Sequence, residues 1–154
     1  MVLPYEIIFS RVRNKITDPK ELSLDANDLV EIYTERLHSV AGNQRVRMKF
    51  ATLSLDDEIQ ELTCELNNPV DELADEEFVI EVFTLGIVIE WLTKEVDSKM
   101  YTSQMIGGKE EKKLVDNYKP MMSRLASMKI ELNKKLRDYG YYYNDYINNT
   151  EVQS

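Results

Sequence analysis

At 154 residues, with 43% hydrophobic and 31% charged side chains, the chain is sized for one soluble domain with a core of its own, and nothing divides it into two independent domains. No apolar run approaches the roughly 20 residues that span a bilayer, because residues 78–92 are interrupted by Glu81 and Glu90, and the first ten residues, with Pro4 and Glu6, lack a signal-peptide pattern. The single cysteine, Cys64, excludes an internal disulfide and suits a reducing compartment, while the net charge of -9 argues against a chain that grips nucleic acid nonspecifically.

Pro4 suits the first position of a helix, and Ile8, Val12 and Ile16 recur every four residues beside Ile7 and Phe9. A first helix over residues 4–16, closed by Asp18 and Pro19, follows. Ser23 or Asp25 can cap a second helix that carries Leu29, Tyr33, Leu37 and Val40 on one stripe, with Ile32 beside it, and stops at Gly42 and Asn43.

Between residues 43 and 66 two readings stand. Val46, Met48 and Phe50 alternate with Arg45, Arg47 and Lys49, and Leu62, Cys64 and Leu66 alternate beyond the polar turn Ser54, Asp56, Asp57, Glu58, which predicts a small antiparallel hairpin. The rival is a short helix using Ile59, Leu62 and Leu66. After Asn67, Asn68 and Pro69, a helix opening at Asp75 places Glu76 and Glu77 against the positive end of its dipole. Phe78, Val79, Val82, Phe83, Leu85, Ile89, Trp91 and Leu92 cover more than one of its faces, marking it as the central core helix. Gly86 inside it costs about 1 kcal/mol relative to alanine, which implies that another helix crosses closely there.

Residues 98–118, with Gly107 and Gly108 at their middle and no clear period, read as a long loop or arm. A last helix from Lys119 or Pro120 to Asp138 carries Met121, Leu125, Met128, Leu132 and Leu136 on one stripe, with Lys129, Lys134 and Lys135 mostly off it. The expected fold is mainly α, a bundle of about four helices with a small β-hairpin, comprising a domain at residues 1–138 and an extended tail at residues 139–154.

That tail holds five of the nine tyrosines: Tyr139, Tyr141, Tyr142, Tyr143 and Tyr146. A ring with a polar tip suits a wet interface, and Gly140, Asn144, Asn148 and Asn149 discourage helix there. The tyrosines either fold back on their own domain or form a docking segment for another subunit. If they dock, deleting residues 139–154 leaves a folded protein that fails to bind its partner.

Charge is divided along the chain. Residues 51–97 hold fourteen acidic side chains against Lys94 alone, whereas residues 109–137 hold nine basic against four acidic. Such opposite signs favour contact between copies, with Glu76, Glu77 and Glu81 facing Lys129, Lys134 and Lys135, or else form two solvated helix faces that never meet.

Motifs for chemistry are sparse. His38 has no second histidine or nearby cysteine to share a metal, so a structural role is expected; Cys64 lacks an activating base and reads as a small buried hydrophobe. The Gly107, Gly108, Lys109 run is not a phosphate loop, because Glu110 follows the lysine and Gln104 stands where the first glycine belongs. Asp56, Asp57 and Glu58 lack the glycine and terminal glutamate of a calcium loop, and the Asn148, Asn149, Thr150 triplet matters only in a secreted chain. No catalytic residue, metal site, cofactor or membrane contact is expected, and an enzyme with a metal-bound acidic turn is the most distant reading.

The order of these elements resembles the head-to-tail connector, or adaptor, proteins of tailed bacteriophages, in particular long-tailed phages of Gram-positive hosts. The resemblance runs through Lys15, Ile16, Thr17 and Asp18; Leu37, Ser39 and Ala41; residues 50–57; the acidic-start helix Asp75, Glu76, Glu77, Phe78, Val79 on to Gly86, Ile87, Val88, Ile89, Glu90, Trp91, Leu92; a polar arm; and a final helix closing with Asp138, Tyr139, Gly140, Tyr141. It implies a virion neck protein, assembled in the host cytoplasm, whose copies form a ring of about twelve below the portal. DNA would pass through the ring without sequence-specific binding, and the ring would offer a platform to the stopper and tail. In related connectors an extended C-terminal segment reaches the portal, a part that falls here to residues 139–154. An acidic channel wall is expected, since each basic phosphate contact would have to be broken during DNA passage, and a ring with Arg45, Arg47 and Lys49 facing inward would refute it. The competing reading is a small acidic helical regulator that mimics nucleic acid, a monomer indifferent to a portal.

Overall fold

The computed structural model describes residues 1–16 and 19–140. The chain opens with a short strand, β1 (Val2–Pro4), and passes directly into α1 (Tyr5–Lys15). Pro4 therefore sits at the helix cap in extended conformation, φ -64° and ψ 141°, and not as the first helical residue. Lacking an N–H, it can close an edge strand without losing a ladder bond, and the amide of Tyr5 donates to Gln60 O at 2.8 Å instead. Tyr5, Ile8, Phe9 and Val12 are buried along one stripe of α1. Of Asp18 and Pro19, expected to end this helix, Asp18 lies with Thr17 outside the described residues, and Pro19 opens the next helical turn.

One turn of helix, α2 (Pro19–Leu22), leads to α3 (Ala26–Ala41), whose Leu29, Tyr33, Leu37 and Val40 are buried as the spacing predicts. Neither expected cap acts through its side chain: Asp25 holds the cap position without such a bond, and Ser23 Oγ donates to Lys20 O. Residues 45–49 are not extended. The Asn43 carboxamide oxygen accepts from the amides of Arg45 and Val46, which starts the single turn α4 (Gln44–Arg47) and buries Val46. A capping side chain at the right offset overrides an alternating pattern this short.

The hairpin reading holds one turn later. Strands β2 (Phe50–Asp56) and β3 (Glu61–Leu66) pair antiparallel, with Leu53 opposite Cys64 and Leu55 opposite Leu62. The Asp56 carboxylate accepts from the amides of Glu58 and Ile59, and Gln60 takes φ 53° to complete the turn. Strand β1 adds to the other edge of β3, giving a three-stranded antiparallel sheet in the order β1-β3-β2. Leu3, Phe50, Leu62 and Cys64 face the core.

The central helix, α5 (Glu72–Ile106), is 35 residues long and starts three residues before Asp75. Asp71 caps it by accepting from the Ala74 amide at 2.7 Å, while Asp75 reaches back to accept from the Val70 amide at 2.9 Å. From Phe78 to Leu92 it is buried on nearly every side because α1, α3 and α6 (Gly108–Asp138) all pack on it. Burying a large apolar side chain there is worth about 1.5 to 3 kcal/mol. The close crossing expected at Gly86 is present: a Cβ there would meet the Val40 methyls at 2.6 and 2.7 Å.

The loop expected at residues 98–118 is helical. α5 runs on to Ile106, the chain reverses at Gly107 and Gly108, both at φ 69°, and α6 begins at once, so Pro120 lies inside a helix instead of starting one. Its stripe of Met121, Leu125, Met128, Leu132 and Leu136 packs on the core. Core burial on α5 ends at Val96, so ten further residues carry the hairpin about 15 Å beyond the core. Tyr101, Met105 and Ile106 are exposed on this projection. No helix among the described residues is long and apolar enough to cross a membrane.

Candidate interaction site beside the C-terminal helix

The last turn of α6 meets the first turns of α5, and the meeting is built around Tyr139. Its ring stacks on Phe78 with centroids 3.9 Å apart and planes 10° from parallel, and its hydroxyl donates to Asp75 Oδ1 at 2.5 Å. Burial, reinforced by Asp75, pushes the phenol well above its ordinary pKa, so it remains a donor at any ordinary pH. Lys49 Nζ closes the other side, donating to Tyr139 O at 3.0 Å. Gly140 follows at φ 73°, where a Cβ would lie 2.3 Å from Asn68 O; only glycine fits. The first tyrosine of the expected docking set thus belongs to the fold. Tyr141, Tyr142, Tyr143 and Tyr146 lie outside the described residues, as does the Asn148, Asn149, Thr150 triplet.

Two grooves flank this junction. The first, about 580 Å³, has Phe78 and Tyr139 as its apolar floor and Glu77, Glu81, Lys134 and Lys135 on its walls. It gathers four of the six charged residues expected to act between subunits. Three of those four are engaged within the chain: Arg11 binds Glu77 through both guanidinium nitrogens and reaches Glu81 at 3.4 Å, and Lys135 Nζ lies 3.7 Å from Glu81. The bond from Arg11 holds the Glu77 carboxyl below its usual range. Part of the acidity of α5 is therefore neutralised within the chain, chiefly by Arg11 of α1 and at one point by Lys135 of α6. Glu76 is half-buried on α5, and Lys129 is exposed beside a separate groove with Asn43 and Glu90.

The second groove, about 560 Å³, lies between α4 and α6. Arg45, Lys49, Lys134 and Arg137 edge it, Met48 and Ile130 are 67% and 69% exposed along it, and no acidic side chain lines it. The basic run at residues 45–49 signals half of this surface in the sequence. Its meeting with Lys134 and Arg137 depends on the Asn43 cap, which turns that run toward α6. Ile130, off the apolar stripe of α6, is the other available signal.

The remaining candidates have structural partners. Asp57 accepts from the Tyr5 hydroxyl at 2.7 Å and lies 2.8 Å from His38 Nε2, so the acidic turn is tied to α1 and α3. These bonds, Tyr5 first, lower the Asp57 pKa. A carboxylate depressed in the folded state adds stability above its ordinary value near 3.8, and that stability is lost as pH falls through the folded value. The urea midpoint is accordingly expected to fall more steeply between about pH 5 and 3 in the parent than in Asp57→Asn, and parallel curves would refute this role. Cys64 is fully buried and its thiol is pushed up to about 11 by burial, which leaves it a poor nucleophile at neutral pH. Gly107 and Gly108 form the tip of the long hairpin with open space around them. Among the described residues no group of three or more His, Cys, Asp or Glu side chains is placed to hold a metal ion. Comparison with protein-family models, with curated proteins and with solved structures finds no match for the chain.

Proposed function

We propose that the chain is a structural virion protein, a head-to-tail connector whose copies assemble as a ring below a phage portal, carry the DNA channel onward, and present a platform to the stopper and tail. The observation that carries the reading is the order of elements named above, from the opening helix to the acidic-start helix and the aromatic tail. Two features support it. The α5/α6 hairpin extends beyond the core and leaves Tyr101, Met105 and Ile106 in water, as an element does when it completes its packing against neighbours. At the other end the chain leaves α6 beside two charged, apolar-floored grooves, and the tyrosines that follow suit docking on the portal or on a neighbouring copy.

The regulator reading draws on the acidity of residues 51–97. It is weakened by the number of those carboxylates already bound within the chain, Asp57, Asp75, Glu77 and Glu81 among them. Mixing the purified full chain with isolated portal rings separates the two. A connector adds a ring of density to one face of the portal in electron micrographs, whereas a regulator stays a small monomer that ignores it.

A further inference from the structure

We propose that the basic groove between α4 and α6 receives residues 141–154 of a neighbouring copy. The inference rests on the reading that copies of the chain assemble, and it names the contact by which they do so. The groove offers an apolar floor at Leu136 and Ile130 within a rim of four cations; Lys49 is held by Tyr139 O and Arg137 by Asp138, whereas the side chains of Arg45 and Lys134 have neither an ion pair nor a hydrogen bond among the described residues. Residues 141–154 carry the matching chemistry: four tyrosines, Ile147 and Val152, with Asp145 and Glu151 as the charged side chains and no lysine or arginine. Tyrosine faces and guanidinium or ammonium groups attract one another, and two carboxylates match the two unpaired cations.

The dimensions agree. From Ile130 to Arg137 the α6 wall of the groove rises about 10 Å, which three or four residues of extended chain cover at about 3.3 Å each. One docked stretch of Tyr141, Tyr142 and Tyr143 covers its floor, and the residues that follow carry the Asp145 and Glu151 carboxylates on along its cationic rim. A tail from one copy in the groove of the next is a head-to-tail contact, which repeats with one hand and closes into a ring when its rotation divides a full turn. Arg45 and Lys49 then lie between subunits and not on the channel wall.

The test uses full-length protein. A photo-crosslinking residue at position 143 of unlabelled chains, mixed with isotope-labelled chains, is expected to give cross-links from light tails to heavy peptides containing Met48 or Ile130. The double variant Arg45→Glu, Lys134→Glu, altered at exposed positions, is expected to lose at least tenfold in self-association, and a partner bearing Asp145→Lys and Glu151→Lys to restore it. Cross-links confined to single chains would show the tail covering its own groove and overturn the proposal, as would unchanged association in the double variant. The connector reading fails separately: groove-dependent association with no portal binding would end that reading alone, and a portal-bound chain whose tail cross-links only to the portal would end this one alone.

Discussion

A chain ending at Gly140 is expected to keep the stability of the full protein within about 0.5 kcal/mol, while one ending at Asp138 loses about 2 to 4 kcal/mol. The two differ by two residues, but those residues close the base of the fold. Tyr139 covers Phe78 face to face and supplies the hydroxyl that Asp75, 8% exposed, accepts. Removing it uncovers the start of the central helix and leaves a buried carboxylate short of a donor, a loss that is costly where water cannot substitute. A truncation at 138 should therefore lower the melting temperature by roughly 5 to 15 °C. Tyr139→Phe isolates the hydroxyl and is expected to cost about 1 to 2 kcal/mol. Calorimetry of the three proteins decides the matter. Equal melting of the 138 and 140 truncations would mean that the stack contributes nothing, and the tail could then be taken as beginning at Tyr139. Deleting residues 139–154 therefore removes Tyr139 from its place on Phe78, and the deletion that tests docking without touching the fold begins at Tyr141.

How far the sequence reveals this molecule depends on where each signal originates. The stripe of α3, the stripe of α6 and the crossing at Gly86 are legible because burial repeats at the helical period, or because one residue type has a single good reason to be there. The projection at residues 98–118 reads as a loop because it has no buried periodicity. A two-helix arm outside the core needs little of it, and its lysines, glutamates, methionines and glutamine are helix formers in their own right. β1 was invisible because a three-residue strand has no period, and its pairing with β3 depends on residues about sixty positions away. The aromatic tail reads as one unit, because nothing local to Tyr139 distinguishes it from Tyr141. What separates them is Phe78 and Asp75, the latter 64 residues upstream. Of the candidate site, the charges and tyrosines were legible as types, but their pairing was not. That Glu77 and Glu81 meet Arg11, and that Lys134 stands beside Arg45, follows from how helices distant in sequence cross.

Gly86→Ala is expected to destabilise the protein by about 1 to 3 kcal/mol although alanine is the better helix former. The added methyl would stand 2.6 and 2.7 Å from the two Val40 methyls. Val40 cannot give way, since a β-branched side chain on a helix has one strongly preferred rotamer and this one is 4% exposed. Either α3 moves off α5 or one of the helices bends. Val40→Ala alone opens a void and also destabilises, but in the double variant the lost methyls make room for the new one, so the two changes are expected to couple favourably by about 1 to 3 kcal/mol. The consequence reaches the interaction site. α3 ends at Ala41, Asn43 caps α4 immediately after it, and α4 carries Arg45 to the rim of the basic groove. A displaced α3 moves that rim relative to Lys134 and Arg137, so Gly86→Ala should weaken the proposed self-association as well as stability, and Val40→Ala in the same chain should recover part of both. A fully stable Gly86→Ala protein would show that the two helices have slack at this point, and the groove's geometry would then have to be set elsewhere.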